Sequence, residues 1–88
     1  MTTGFRKSFG RDLKRINDQQ LLDRVRAVIE ETEAADDLQQ VGNLKKMTGS
    51  SNFYRIRVGD FRIGIAVTGA TVEFIRCLPR RDLYRFFP

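Results

Sequence analysis

The chain has 88 residues, is 41% hydrophobic with nine aromatics, and carries a formal charge of +5. That length supports one domain, 1–88, near the lower limit for a self-sufficient core. One cysteine, Cys77, and no histidine rule out a disulfide framework and argue against a zinc site or a Cys–His nucleophile pair.

The charge is uneven. Residues 1–40 hold seven Lys/Arg against eight Asp/Glu, whereas residues 41–88 hold nine against three. A basic C-terminal half of this kind attracts polyanions or an acidic protein partner, although a merely solvated basic surface explains the charge equally well. No stretch approaches the roughly 18 apolar residues of a membrane span. The opening MTTGFRKSFG lacks the apolar run of a signal peptide, so the expected location is the cytoplasm.

In chain order, residues 2–5 give a weak edge-strand signal. Phe9, Leu13 and Ile16 recur at helical spacing, and Asn17-Asp18 makes a turn that can also cap the next helix. Leu21, Leu22, Val25, Val28 and Ile29 mark one face of a second helix running to about Ala34. The short connection suggests an antiparallel helix pair. EETEAADDLQQVGN loses the period and reads as a frayed helix end and loop, followed by a short strand around Leu44–Met47.

From Phe53 the period falls to two. Gly59-Asp60 reads as a two-residue hairpin turn. If Val58 pairs with Phe61, then Arg57 opposes Arg62 and Arg55 opposes Gly64. One face then carries Arg55, Arg57, Arg62, Gly64 and Ala66, and the other Tyr54, Ile56, Val58, Phe61, Ile63 and Ile65. Gly64 and Ala66 are expected to leave room for a nucleic-acid backbone. The next turn lies within Thr68–Thr71, and the strand Val72–Leu78 follows. A two- or four-residue loop puts Glu73, Ile75 and Cys77 on the basic face; a three-residue loop puts Arg76 there. RRDLYRFF closes the chain as a short helix or extended tail.

No phosphate-cradling glycine loop occurs, and no paired carboxylates mark the strands. The remaining constellation is Arg55, Arg57, Arg62, Arg80, Arg81 and Arg85, with Tyr84, Glu73, and Lys45 and Lys46 upstream. Guanidinium forks suit phosphate, and directly opposed arginines repel unless an anion or carboxylate lies between them. A tyrosine ring gives a base a stacking surface. This set suits a metal-free reaction on RNA, in which a 2′-OH attacks the adjacent phosphodiester while cations stabilise the added charge. The plainer alternative is packing against acidic side chains or an acidic protein, and Phe86 and Phe87 fit core closure better than stacking.

The order of helix pair, basic linker, YRIRVGDFRIGI and VEFIRCLPRRDLYRFF resembles the RelE/ParE superfamily of type II toxin–antitoxin toxins over essentially the whole chain. The resemblance implies an α+β fold, with two N-terminal helices packed on one face of a small antiparallel β-sheet and a short C-terminal helix or tail. It implies a ribosome-dependent mRNA endonuclease that inhibits translation, needs no metal or small-molecule cofactor, and pairs with a cognate antitoxin in a hetero-oligomer. By that analogy Arg62 and Arg81 hold the scissile phosphate, Arg55 and Arg57 position RNA and stabilise charge, and Tyr84 stacks on or orients a base. Lys45, Lys46, Arg80 and Arg85 add RNA contacts. Members often carry lysine where Arg55 and Arg57 stand, and many carry histidine at the position of Pro79. Arginine, with a pKa above about 12, is a poor base, so the proton is left to Glu73, an ionised Tyr84 or a ribosomal group, and cleavage is expected to be slow or strictly ribosome-assisted. The same resemblance admits a ParE-like inhibitor of DNA gyrase that needs no base, or an inactive relative that only binds antitoxin.

Overall fold

The computed structural model describes residues 1–88. The elements are β1 (Thr2–Phe5), α1 (Lys7–Lys14), α2 (Gln19–Ala34), a 3₁₀ turn (Leu38–Gln40), β2 (Leu44–Lys46), β3 (Phe53–Val58), β4 (Phe61–Thr68), β5 (Thr71–Pro79) and α3 (Arg80–Phe86). The five strands form one sheet in the order β1-β5-β4-β3-β2. No helix is long and apolar enough to cross a membrane.

The N-terminal helices arise as their spacing predicts. Phe9 of α1 and Leu21 and Val25 of α2 are buried against the sheet, with Leu13, Ile16, Val28 and Ile29 at the margin of the same core. Asp18 caps α2, its carboxylate accepting from the backbone N–H of Gln20 at 3.0 Å and of Leu21 at 3.3 Å. On the sheet side the core is closed by Ile56, Val58, Ile63, Ile65, Val72, Phe74 and Cys77.

The first hairpin has the expected register, with Val58 opposite Phe61, Arg57 opposite Arg62 and Arg55 opposite Gly64. Gly59 has φ of 58°, which suits the first central position of a two-residue turn. The second hairpin also turns on two residues, Thr68 pairing with Thr71.

Three sequence expectations need correction. The α+β fold and its mostly antiparallel sheet are as expected, and only β1 departs, joining β5 in parallel. Nor does β5 keep one facing. Ile65 opposes Phe74 but Gly64 opposes Arg76, so Ile75 is an extra residue in a bulge. Glu73 therefore lies on the face of Ala66, as a two-residue loop requires, while the bulge reverses the alternation and turns Cys77 into the core.

The third correction concerns the face opposite the helices, where Gly64 does not leave an open floor. Phe87, reached through α3, covers Gly64: a Cβ at that glycine would lie 2.9 Å from three ring carbons of Phe87. Phe87 meets Phe53 edge-on at 5.4 Å and, with fully buried Leu83, makes a second small core. Core closure is thus right for Phe87, while Phe86 remains exposed.

The bulge is held from α1. Beyond Phe5 the edge of β5 has no strand neighbour, and α1 supplies side chains instead. Ser8 Oγ donates to the Ile75 carbonyl at 2.6 Å, and Asp12 Oδ2 accepts from the Cys77 N–H at 2.9 Å. Asp12 also takes both Nε and Nη2 of Arg76, at 2.8 and 3.1 Å. A buried carboxylate is tolerable here because three donors satisfy it.

Candidate nucleic-acid interface

Two tertiary contacts bring the C-terminal arginines beside the first hairpin. Pro79 ends β5, and the Arg80 N–H then donates to the Asp60 carbonyl at 2.9 Å, tying the start of α3 to the hairpin turn. Burial of Leu83 and Phe87 holds the rest of α3 against the sheet. The result is an open cleft of about 1110 Å³, lined by Arg55, Arg57, Gly59, Asp60, Arg62, Pro79, Arg80, Arg81, Asp82 and Tyr84. Five arginines against two aspartates leave it a net charge of +3.

Arg62 is the most constrained of these cations, at 8% exposure. Its Nη1 donates to the carbonyls of Gly59 at 2.8 Å and Phe61 at 2.9 Å, while its Nε is buried without a hydrogen-bond partner. The opposed pair Arg57/Arg62 avoids repulsion by divergence, Arg62 folding back on its own turn and Arg57 reaching into solvent. The chain has two ion pairs, Arg6–Glu73 at 2.9 Å and Arg76–Asp12 at 2.8 Å, and neither touches the cleft. All five cleft arginines therefore lack a carboxylate within 4.0 Å, which leaves their charge available to an external anion. Arg62 has already lost most of its water, so an anion that reaches it is worth more than one meeting a free side chain.

Tyr84 is 47% exposed at the cleft margin, with Arg55 Cζ 5.9 Å from its ring centroid. Lys45 and Lys46 line a smaller adjoining hollow that shares Arg55 and Tyr84 with the main cleft.

Two expected site residues stand elsewhere. Glu73 lies opposite Ala66, four residues along β4 from Arg62, roughly 13 Å at strand rise, and it pairs with Arg6. Arg85 lies 5.5 Å from the Phe86 ring and does not line the cleft.

Sequence reasoning passed over two residues that matter here. Arg24 of α2 reaches over the hairpin turn, where a Cβ on Gly59 would meet its Nη1 at 2.9 Å. No local signal reveals this, because it depends on how α2 lies across the sheet. Asp12 had a signal: it sits three residues after Phe9 on the inward stripe of α1, an odd place for a carboxylate unless a donor awaits it. Its hydrogen bonds raise the Arg76 pKa. Burial, and secondarily Asp12, pushes the Cys77 thiol from 9.0 up to about 12, so it stays protonated and inert near neutrality.

Residues 4–84 match the family model of the ParE toxin of the type II toxin–antitoxin system parDE. The chain belongs to this toxin family. Within it, a curated relative, toxin RelE3 of Methanocaldococcus jannaschii, is 41% identical over 85 residues, spanning 96% of each chain. A solved chain of the RelB–RelE antitoxin–toxin complex from Methanococcus jannaschii superposes with a TM-score of 0.82 at 40% identity, over 97% of this chain and 99% of that one. The archaeal RelE–RelB complex from Pyrococcus horikoshii matches in fold, with a TM-score of 0.72 at 18% identity over 90% and 93% of the two chains. The resemblance read from the hairpin and tail therefore holds, with RelE-named proteins as its near relatives, and the protein is the toxin type of a type II toxin–antitoxin system.

Proposed function

We propose that this family member is an mRNA endonuclease acting on the ribosome and inhibiting translation. The observation that carries the reading is the cleft of five arginines without carboxylate partners, bordered by an exposed tyrosine ring. In this reading Arg62 and Arg81 grip the scissile phosphate, Arg55 and Arg57 orient the strand, and Tyr84 stacks on a base. Lys45, Lys46 and Arg80 extend the electrostatic track. The 2′-oxygen attacks phosphorus, its proton passes to a base, and the 5′-oxygen departs with a proton, leaving a 2′,3′-cyclic phosphate. Guanidiniums stabilise the pentacoordinate intermediate but do not take the proton. Glu73, remote and paired with Arg6, does not take the proton, which leaves it to another group of the cleft or of the ribosome.

The RelE relative at 40% identity was solved in a complex with a RelB antitoxin, and this chain is proposed to be neutralised likewise in a hetero-oligomer. A basic C-terminal half favours an antitoxin segment of acidic character.

Induction of the protein followed by mapping of transcript ends on translating ribosomes tests the activity. Cleavage is expected with the wild type and is expected to fall at least about 10²-fold in Arg62→Ala/Arg81→Ala. Undiminished toxicity of that double variant would overturn the assignment. The matching family model bears the ParE name, so inhibition of supercoiling by purified gyrase, without new transcript ends, would favour a gyrase inhibitor instead.

A further inference from the structure

The hollow beside the main cleft adds apolar residues to the same cationic lining. It measures about 270 Å³ and is lined by Lys45, Lys46, Met47, Thr48, Arg55, Tyr84, Phe87 and Pro88. Around the main cleft only Pro79 and the Tyr84 ring offer apolar surface, whereas here Met47, Phe87 and Pro88 join that ring beneath a cationic rim. Arg55 and Tyr84 line both hollows. The two are thus one groove pinched where Arg55 meets the Tyr84 ring at 5.9 Å. Lys45 is the direct cross-strand partner of Arg55. Two cations opposed without a carboxylate within 4.0 Å are relieved by an anion lying between them.

Met47 and Thr48 come from the β2–β3 loop, which is tied to itself. The Met47 N–H donates to the Phe53 carbonyl at 2.9 Å and the Ser50 N–H to Met47 at 3.2 Å. Ser50 Oγ accepts from the Phe53 N–H at 2.9 Å. The loop therefore presents Met47 and Thr48 from a fixed turn.

We infer that this smaller pocket is a nucleobase subsite for the nucleotide next to the scissile phosphate, and that Met47 and Thr48 set which base is preferred. The inference rests on the RNA-cleaving reading above and deepens it. The volume lies just under the roughly 300–1,000 Å³ of pockets that take a whole drug-sized ligand, a size for one flat base. An apolar floor receives the ring, the Lys45/Arg55 rim receives a flanking phosphate, and the Thr48 hydroxyl offers a hydrogen-bonding group to the base edge. A phosphate alone has no use for the apolar floor.

The test compares wild type, Met47→Ala and Thr48→Ala by transcript-end mapping, with nucleoside 5′-monophosphates titrated in parallel against the Met47 and Thr48 methyl resonances. Each substitution is expected to change the ratio of cleavage between sites differing in one base by about tenfold. One nucleotide is expected to shift those methyl signals at lower concentration than the other three. Cleavage by the wild type with unchanged site ratios in both variants would overturn the subsite and leave the activity standing. Absence of wild-type cleavage would overturn the activity, and the methyl titration would then decide the pocket by itself: base-selective shifts uphold it, and shifts identical for inorganic phosphate refute it.

Discussion

Substituting Gly64 by alanine tests how α3 is held over the sheet and what that hold is for. The new Cβ would lie 2.9 Å from Cδ1, Cδ2 and Cε1 of Phe87. Carbon contacts are comfortable at about 3.5–4.0 Å, so the ring must retreat by about 0.6–1.1 Å. The ring has little freedom to do so, being 5% exposed and edge-on to Phe53, with its backbone N–H bound to the Leu83 carbonyl at 2.8 Å. Overpacking of this kind costs about 1–3 kcal/mol, and a domain of this size loses about 4–8 °C in Tm per kcal/mol. Because α3 also carries Arg80, Arg81 and Tyr84, a shift near 1 Å is expected to lower cleavage by up to about 10²-fold, well beyond the loss of folded protein. Urea unfolding and transcript cleavage are measured for Gly64→Ala, Phe87→Ala and the double variant. Phe87→Ala alone should cost about 3 kcal/mol, and in its background Gly64→Ala should be neutral or slightly stabilising, since the clash is gone. An equal cost of Gly64→Ala with and without the Phe87 ring would refute the steric argument.

Asp12→Ala is expected to cost about 3 kcal/mol in urea unfolding, the low end for breaking a buried pair, because Arg76 at 26% side-chain exposure can rehydrate; most of the loss should be non-additive with Arg76→Ala. Cys77 is predicted to make stability fall at high pH. Its folded pKa of about 12 lies above the ordinary 9.0, so its contribution is complete below pH 9 and is lost as pH rises towards 12; unfolding midpoints from pH 8 to 11 should show a shallower decline in Cys77→Ala. Gly59→Ala should cost about 1–2 kcal/mol from positive φ alone, with a further steric part that Arg24→Ala removes. Single-stranded RNA affinity, followed by fluorescence anisotropy against salt, should lose about 1.4 from its log–log slope in Arg62→Ala/Arg81→Ala, at about 0.7 per phosphate contact.

Local patterns already specify much of the molecule. The 3.6-residue spacing of Phe9, Leu13 and Ile16, the Asp18 cap, and the strict alternation on either side of Gly59-Asp60 place α1, α2 and the hairpin register. They also put Arg55, Arg57 and Arg62 on the face away from the main core, because side-chain direction in a paired strand has period two. The assignment of Arg81 and Tyr84 to the same site came from resemblance, and the Arg80 N–H bond to Asp60 is its physical counterpart.

Non-local contacts decided the rest. A bulge is invisible to period counting, and it alone turns Cys77 inward; it persists because Asp12 and Ser8, over sixty residues earlier, occupy the hydrogen-bonding groups that β1 is too short to reach. The parallel pairing of β1, the cover of Phe87 on Gly64 and the reach of Arg24 over Gly59 depend on how finished elements stack. So does the separation of Glu73 from the arginines: both lie on one face, but alternation sets the face and not the distance along the strand. By itself the sequence determined the elements, the facing of the basic hairpin and its likeness to a toxin family. Only the tertiary structure decided that its arginines stand without carboxylate partners, since pairing of charges depends on which side chains the folded chain brings within reach.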